Sequence, residues 1–545
     1  MRYVVIGGGI GGVCCAEELC RLAAPGDEVA LVSASPVLKG VSNVVRLAKY
    51  VEEFTVVERD AEAVATPNLR VVRGWVAGVD PASKTVRVAP ADGGPPPAEL
   101  AYDALCICAG ARPKVLSHHE RVVTLRDTES VQDFAARLAG AHRVVVVGNG
   151  GIALELVGEV RGVEVVWALR HAHIGDAFFD ADAAQFLLGE LTAAQRARRG
   201  GEGAQQDERQ GGPEGQGSEA QCAERRESGA AAGSSGRGGG GGGGAPAGQG
   251  GRRLGAALGP KWSDALPHGA PANVRIERHA TVLGVYGTRA EAVAALAYAD
   301  SPWAPAAAAG AAAVDGSGGG SGGGGSELDR GEWPAWVALA GPEGRTVMGA
   351  DLVVSAIGVE PATEWLPACL ERAPDGGLSV RADLRTSDPS IWAAGDCCTL
   401  RGEEQAPHFF QMRLWTQARL MGLWAAQVMA GRQEDSGLSF AFELFTHVTR
   451  FLGKKVVFVG LYNGQKLGTQ PRGDVVTYSR TLDAGGPGST FVRVLLLRGR
   501  MQGAVLIGDT DLEETFENLI LDGLDVGGYG PALLDPNIEL DHVFD

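Results

Sequence analysis

The 545 residues are 45% hydrophobic, and the 81 glycines keep no Gly-X-Y period, so neither a collagen-like rod nor a wholly disordered chain is compatible with this composition. At roughly 150 residues per domain, the length calls for three or four compact units. The formal charge of -17 is concentrated in residues 509–545, which hold 11 Asp and Glu and no Lys or Arg; a field of that sign argues against direct nucleic acid binding and suits a basic protein partner.

In chain order, the strand Tyr3–Ile6 runs into the turn Gly7-Gly8-Gly9-Ile10-Gly11-Gly12, a helix over 13–23 and a strand over 28–33. The pattern returns at a strand over 144–147, the turn Gly148-Asn149-Gly150-Gly151-Ile152-Ala153, a helix through 160 and a strand over 163–169. Each is a βαβ unit with G-x-G-x-x-G or G-x-G-x-x-A at its turn. Gly7 and Gly148 make the turn, Gly9 and Gly150 let a pyrophosphate approach the backbone, and Gly12 and Ala153 keep helix and strand close. Two such units in correct context point to two bound dinucleotides.

Three segments fit the same architecture. Residues 102–113 and 351–361 each run as a buried strand into a glycine turn, at Ala109-Gly110 and Ile357-Gly358. Residues 386–396 place Gly395-Asp396 at a strand end before a helix expected over 412–429, where an acid can accept from a ribityl hydroxyl and the helix N-terminus can stabilise negative charge on a reduced flavin. Residues 200–252 and 303–331 are rich in Gly, Ala and Ser without hydrophobic periodicity, and are expected to be disordered surface insertions within one domain.

No run of about 18 apolar residues is free of charges or glycine clusters, so no membrane span is expected. With the first strand starting almost at Met1, no targeting segment is expected ahead of the fold, and nine irregularly spaced cysteines do not make a secreted disulfide framework. A cytoplasmic or nuclear location is expected, and no metal site.

This order of motifs resembles the pyridine nucleotide-disulfide oxidoreductases, two-dinucleotide flavoproteins. The stretches 174–180, 258–262, 411–419 and 503–516 are similar to the branch of that family called pyridine nucleotide-disulfide oxidoreductase domain-containing proteins. The resemblance implies FAD on the first glycine motif, NAD(P)H as electron donor on the second, and, in animals, protection of the tRNA ligase complex against oxidation. The implied fold class is α/β, with two Rossmann-like dinucleotide-binding domains and a smaller α+β C-terminal domain. The domains are expected at 1–112 with 350–432 for FAD, 113–349 for NAD(P)H, and 433–545 for the C-terminal unit.

Departures from the family restrict the chemistry. The redox Cys-x4-Cys pair would fall within residues 35–51, which contain no cysteine. Cys15 and Cys20 have that spacing but lie on the first motif helix, about 140° apart around its axis, and read as packing residues. A C-terminal His-x4-Glu dyad is absent, because Leu452 stands where His447 would need its Glu. Dithiol-disulfide exchange is therefore not expected. Cys397 and Cys398 follow Asp396 directly; a helix N-terminus there could activate a thiol, but buried cysteines more often pack as small hydrophobes.

The cysteine-free members carry a Lys after the first βαβ unit and a Glu on the second motif helix beside the flavin, which the resemblance places at Lys39 and Glu155 as the catalytic pair. The acid that holds an NAD ribose would fall at Leu169, so a 2′-phosphate is tolerated, and the following Arg170 could pair with one. Ser33 stands where an acid would hold the FAD ribose, offering a neutral hydroxyl instead. The expected function is an NAD(P)H-dependent FAD oxidoreductase that protects or reduces a thiol-bearing protein partner. The alternative is a redox-gated guard that covers a partner's active site without turnover.

Overall fold

β-Branched runs that end in glycine turns form strands covered on both faces, the pattern of a parallel sheet. In the computed structural model, which describes residues 1–65, 67–91, 98–192, 266, 273–298, 332–402, 405–432, 442–483 and 488–535, this happens twice. Both expected glycine-rich insertions, and residues 258–262, lie outside the described residues.

In the first sheet the strand Arg2–Ile6 lies between Glu28–Ser33 and Ala104–Ile107, all parallel, with Tyr3 opposite both Val29 and Ala104. Ile391–Ala393 and Leu69–Asp80 extend it in parallel, and Thr85–Pro90 and Ala98–Ala101 add antiparallel strands to give seven. The second sheet has five parallel strands centred on Arg143–Val147, with Glu164–Ala168 and Asn273–Glu277 on one side and Leu352–Ser355 and Val122–Val123 on the other.

That membership corrects the expected boundary at residue 350. A first domain resuming there would take Leu352–Ser355, yet this strand is hydrogen-bonded to Arg143–Val147, with Val353 opposite Val145 and both fully buried. The chain returns to the first sheet only after Ser355, through Val359–Pro361, which pairs antiparallel with Ala111–Pro113. Both segments therefore cross between the two sheets side by side.

Five helices shape the gap between the sheets and its supports: α1 (Ile10–Leu22), α2 (Thr128–Leu138), α3 (Gly151–Glu159), α4 (Trp415–Met429) and α5 (Glu513–Asp522). The last long helix of the first domain starts at Trp415 and not at residue 412. Amides hold the preceding loop open: Gln411 accepts from Leu400 N–H at 2.7 Å, and Gln417 accepts from Met412 N–H at 2.9 Å.

The C-terminal unit is a five-stranded antiparallel sheet in the order Thr446–Phe451, Lys454–Gly460, Arg500–Ile507, Thr490–Leu497, Val475–Leu482. Period-two alternation sorts the strand Lys454–Gly460: Val456 and Phe458 join the core of the second domain, while Val457 and Val459 pack under α5. The acidic end differs from expectation. Asp509, Asp511 and Glu514 are exposed, but Glu513 and Glu517 face inward, Glu513 pairing with Lys455 at 2.8 Å. Among the described residues, no helix is long and apolar enough to cross a membrane.

The fully buried Glu517 carboxylate accepts from the backbone N–H of Tyr50 at 2.9 Å and of Val51 at 3.1 Å, which ties the C-terminal unit to the turn joining strands Val37–Arg46 and Glu52–Asp60 of the first domain. Glu517→Ala would leave those donors without an acceptor, at about 1–3 kcal/mol for each buried group. Urea denaturation should therefore show a loss of about 2–4 kcal/mol, with Glu517→Gln losing less.

Candidate functional site

At the end of each central strand the chain must reverse within one residue, and a side chain there would strike the neighbouring strand. Gly7 has φ +118° and Gly148 φ +133°; a Cβ on either would lie 2.1 Å from a backbone oxygen, of Cys108 and Ala356 respectively. The second glycine of each motif differs: Gly9 and Gly150 have ordinary φ values of -78° and -95°, and a Cβ on either would meet nothing within 4 Å. The space is open because it is the wall of a cavity. Gly12 is a packing position, where a Cβ would lie 1.9 Å from Gly7 O, and Ala153 fills the same place in the second unit, fully buried.

Gly9 and Gly150 are the N-caps of α1 and α3, and neither helix has a side-chain cap; Leu414, the N-cap of α4, supplies none either. First-turn N–H groups without side-chain partners, at the positive end of a helix dipole, are a site for anions or electron-rich atoms. All three N-termini open on one cavity of about 910 Å³ between the two parallel sheets. These residues fit the implied cofactors: each open glycine would admit a pyrophosphate to its helix N-terminus, and the N-terminus of α4 would favour negative charge in the same cavity.

Of the residues expected at the site, the cavity wall contains Gly9, Lys39, Gly110, Gly395 and Asp396 from the first domain, and Gly148, Gly150, Glu155, Arg170, Ile357 and Gly358 from the second half. Gly7, Gly12, Ala109 and Ala153 stand behind it. Ser33 also does not reach the wall: it is 3% exposed and its Oγ donates to Ser35 O at 3.0 Å, so the expected ribose contact is not presented.

Lys39 projects from strand Val37–Arg46, half-buried. Burial holds its ammonium below the ordinary lysine value, against the pull of Glu58, Asp127 and Glu129. These carboxylates come from the neighbouring strand and from the start of α2, where Asp127 accepts from Ser130 N–H in a capping box. Glu155, on α3, is 7% exposed and lines the same cavity. Asp396 has its carboxyl pushed up by burial, with Arg413 and Arg126 opposing. Arg170 is exposed at the rim, beside His171, whose Nδ1 is 3.3 Å from Asp176 Oδ2.

Cys397 and Cys398 are fully buried and absent from the wall. Cys397 Sγ donates to Ile107 O at 3.2 Å and Cys398 Sγ to Gly395 O at 3.3 Å; burial pushes the Cys398 thiol up. They pack as core residues. Among the described residues, no group of three or more His, Cys, Asp or Glu is placed to hold a metal.

The sequence motifs did not single out several residues that complete the wall. Arg126 and Arg413 flank Asp396, and Arg413 Nε donates to Asp396 O at 3.0 Å. Asn149, the middle residue of the second motif, donates through Nδ2 to His173 O at 2.8 Å and accepts from Gly175 N–H at 2.5 Å, binding loop 173–178 to the glycine turn. Phe178, Trp415 and His447 close one end. The similarity of 174–180 and 411–419 to the family branch carried a signal for Phe178, Arg413 and Trp415.

The profile of the family described as "Pyridine nucleotide-disulphide oxidoreductase" matches residues 1–196 and 334–422. A Mus musculus protein named "Pyridine nucleotide-disulfide oxidoreductase domain-containing protein 1" is 37% identical over 557 residues, covering 100% of this chain and 98% of its own. Among solved structures, a NAD-dependent persulfide reductase from A. fulgidus aligns with a TM-score of 0.59 at 18% identity, covering 99% of this chain and 80% of that one. A covalent putidaredoxin reductase-putidaredoxin complex aligns with a TM-score of 0.57 at 16% identity, covering 100% and 98%. The fold and site define an α/β flavoprotein oxidoreductase of the two-dinucleotide type. The chain belongs to the pyridine nucleotide-disulfide oxidoreductase family.

Because Gly9 has an ordinary φ and open space ahead of its Cα, Gly9→Val should fold yet block the cofactor's approach. Purified Gly9→Val is expected to keep its melting transition in the cofactor-free form but to take up no FAD. Arg170→Ala should remove a charge-assisted contact of about 1.5–3 kcal/mol to a 2′-phosphate. Titration should show NADPH weakened about ten-fold or more with NADH spared; equal losses would make Arg170 structural.

Proposed function

We propose that the protein is an NAD(P)H-dependent FAD oxidoreductase without a redox-active cysteine pair, which protects or reduces a thiol-bearing protein partner. The observation that carries this reading is the pair of open glycines, Gly9 and Gly150, at two helix N-termini on one cavity, with Lys39 and Glu155 in its wall. Bound FAD would supply acceptance of a hydride from NAD(P)H. The chain's residues do the rest. Gly9 and Gly150 admit the pyrophosphates to backbone N–H groups, and Asp396 offers an acceptor to a hydroxyl. Lys39, a cation held below its ordinary value by burial, would gain from the negative charge that arrives with reduction.

The second reading, a guard that covers a partner's active site in the reduced state without turnover, is favoured by the burial of Cys397 and Cys398, which leaves them no role in passing electrons outward. In either case the partner would meet a surface with Asp509, Asp511 and Glu514 exposed, which suits a basic protein in the cytoplasm or nucleus. The resemblance makes the tRNA ligase complex the first partner to test.

Anaerobic mixing with NADPH should bleach the yellow absorbance of the wild type. Converting Cys397 and Cys398 together to Ser should leave the bleaching rate within a few-fold; loss of bleaching with FAD still bound would make these thiols part of the path. Multiple turnover with a protein acceptor would favour the enzyme. Redox-dependent complex formation with negligible turnover would favour the guard.

A further inference from the structure

The C-terminal unit contributes a polar side chain to the cavity that none of the glycine motifs accounts for. His447, on strand Thr446–Phe451, lines the wall although it is only 1% exposed. Its ring is held in one plane: Phe458 stacks on it at 6.1 Å and 7°, Phe178 at 6.3 Å and 27°, and Trp415 meets it edge-on at 5.3 Å. Nδ1 is 3.0 Å from Thr416 Oγ1. Among the described residues, Nε2 makes no hydrogen bond, so a polar atom of a buried ring that lines the cavity is left to be satisfied by what enters it.

The place is informative. A Cβ on Gly151, the first residue of α3, would meet Phe178 at 3.6 Å and Phe451 at 3.7 Å, while Trp415 and Thr416 open α4. His447 therefore stands between the N-terminus of the second-motif helix and the N-terminus of the flavin-side helix. A dinucleotide held at Gly150 must cross this interval to bring its reactive ring to the flavin. The wall here presents the aromatic faces of Phe178, Phe451 and Trp415 around His447, with Arg413 further along the wall beside Leu414, so this end suits a planar ring.

We propose that His447 is the positioning residue for the nicotinamide ring, its Nε2–H donating to the carboxamide oxygen, with the Thr416 hydroxyl fixing that tautomer by donating to Nδ1. The inference rests on the NAD(P)H reading and deepens it by assigning the nicotinamide end. Burial pushes the imidazole down to about 3, so it is neutral at physiological pH. That matters because the nicotinamide becomes a cation as its hydride leaves: a protonated histidine would oppose the step, whereas a neutral imidazole and aromatic faces do not.

The test uses the FAD-loaded full chain and compares two ligands: NADP+, and 2′,5′-ADP, which lacks the nicotinamide. His447→Leu should weaken NADP+ about ten-fold while leaving 2′,5′-ADP within two-fold, and His447→Gln should restore at least half of the loss. With NADPH, the leucine variant should raise KM and slow bleaching at saturation, because the ring is both held less tightly and aimed less well. On the ligand side, the wild type should bind thionicotinamide NADP+ several-fold more weakly than NADP+, since sulfur is a poor acceptor; this arm needs no variant to fold. Equal weakening of both ligands by His447→Leu, or unchanged NADP+ affinity, overturns the proposal. A wild type that binds 2′,5′-ADP but gains nothing from the nicotinamide also overturns it, leaving the NAD(P)H reading standing. Failure to bind either ligand removes both.

Discussion

A phosphate can reach the first-turn N–H groups of a helix only where no side chain stands in front of them. Gly9 and Gly150 meet that constraint, and much of the molecule is arranged to present them. Each needs a strand that ends at the right height, a turn tight enough to start a helix at once, and a helix packed close enough to point at the gap. Parallel strands do this naturally, since all carboxyl ends lie on one side, and ligands gather there. The helix dipoles supply only about 0.3–2 kcal/mol each. Binding therefore depends on many aligned donors and on shape, and a half-buried Lys39 adds a charge whose solvation is already reduced.

Holding two such sheets at a fixed separation is a separate problem, solved by the C-terminal unit. It grips the first domain through Glu517 at residues 50 and 51. It grips the second through Arg493, whose Nε is 2.8 Å from Asp180, and through Asn463, which donates to Phe178 O at 3.1 Å. These are the segments next to the cavity: the strand carrying Lys39 begins the hairpin that Glu517 holds, and Phe178 lies in the wall. Each contact is buried on the C-terminal side, at Glu517 and at Arg493, so breaking it would strand a poorly solvated charge, and neither segment moves freely while the C-terminal unit stays docked. The unit bears on the chemistry through geometry as well as through His447.

The parts of this arrangement that were legible in the sequence are those encoded locally. A valine run followed by Gly148-Asn149-Gly150 contains its strand, turn and helix start within about ten residues, and Asp396 follows its strand directly. Long-range choices were not. Residues 351–355 read as another strand before a glycine, but nothing local says which sheet they join. Ser33 was assigned by its position in the motif, and its hydroxyl instead turns to a carbonyl two residues away. The acidic end misled for a different reason: Glu513, Phe516, Glu517 and Ile520 share one face of α5 at spacings of three and four, a pattern visible only if acids are allowed to be buried. Each of the two inward acids has a partner on another segment, which the linear sequence does not display.

The cysteines show how position can suggest chemistry that burial removes. Cys15, Cys106, Cys108, Cys397 and Cys398 all lie in the core of the first domain near the cavity, with Cys106 and Cys108 Sγ atoms 3.6 Å apart. A thiol reacts as its thiolate, and a thiolate here would have to form away from water. Hydrogen bonding to Cys106 together with burial pushes the Cys108 thiol well up, and on α1 burial carries Cys14 to about 12. Cys397 is shifted the other way, down, by its hydrogen bond to Cys398, but all five thiols are buried, Cys108 at the cavity wall, so on the proposed reading this core offers no exposed thiol through which reducing equivalents could leave. An acceptor then has to bring its own reactive group to the cavity, or the reduced state has to act by shape alone. The enzyme and the guard are these two cases, and they share every contact described up to the point where reduction is complete.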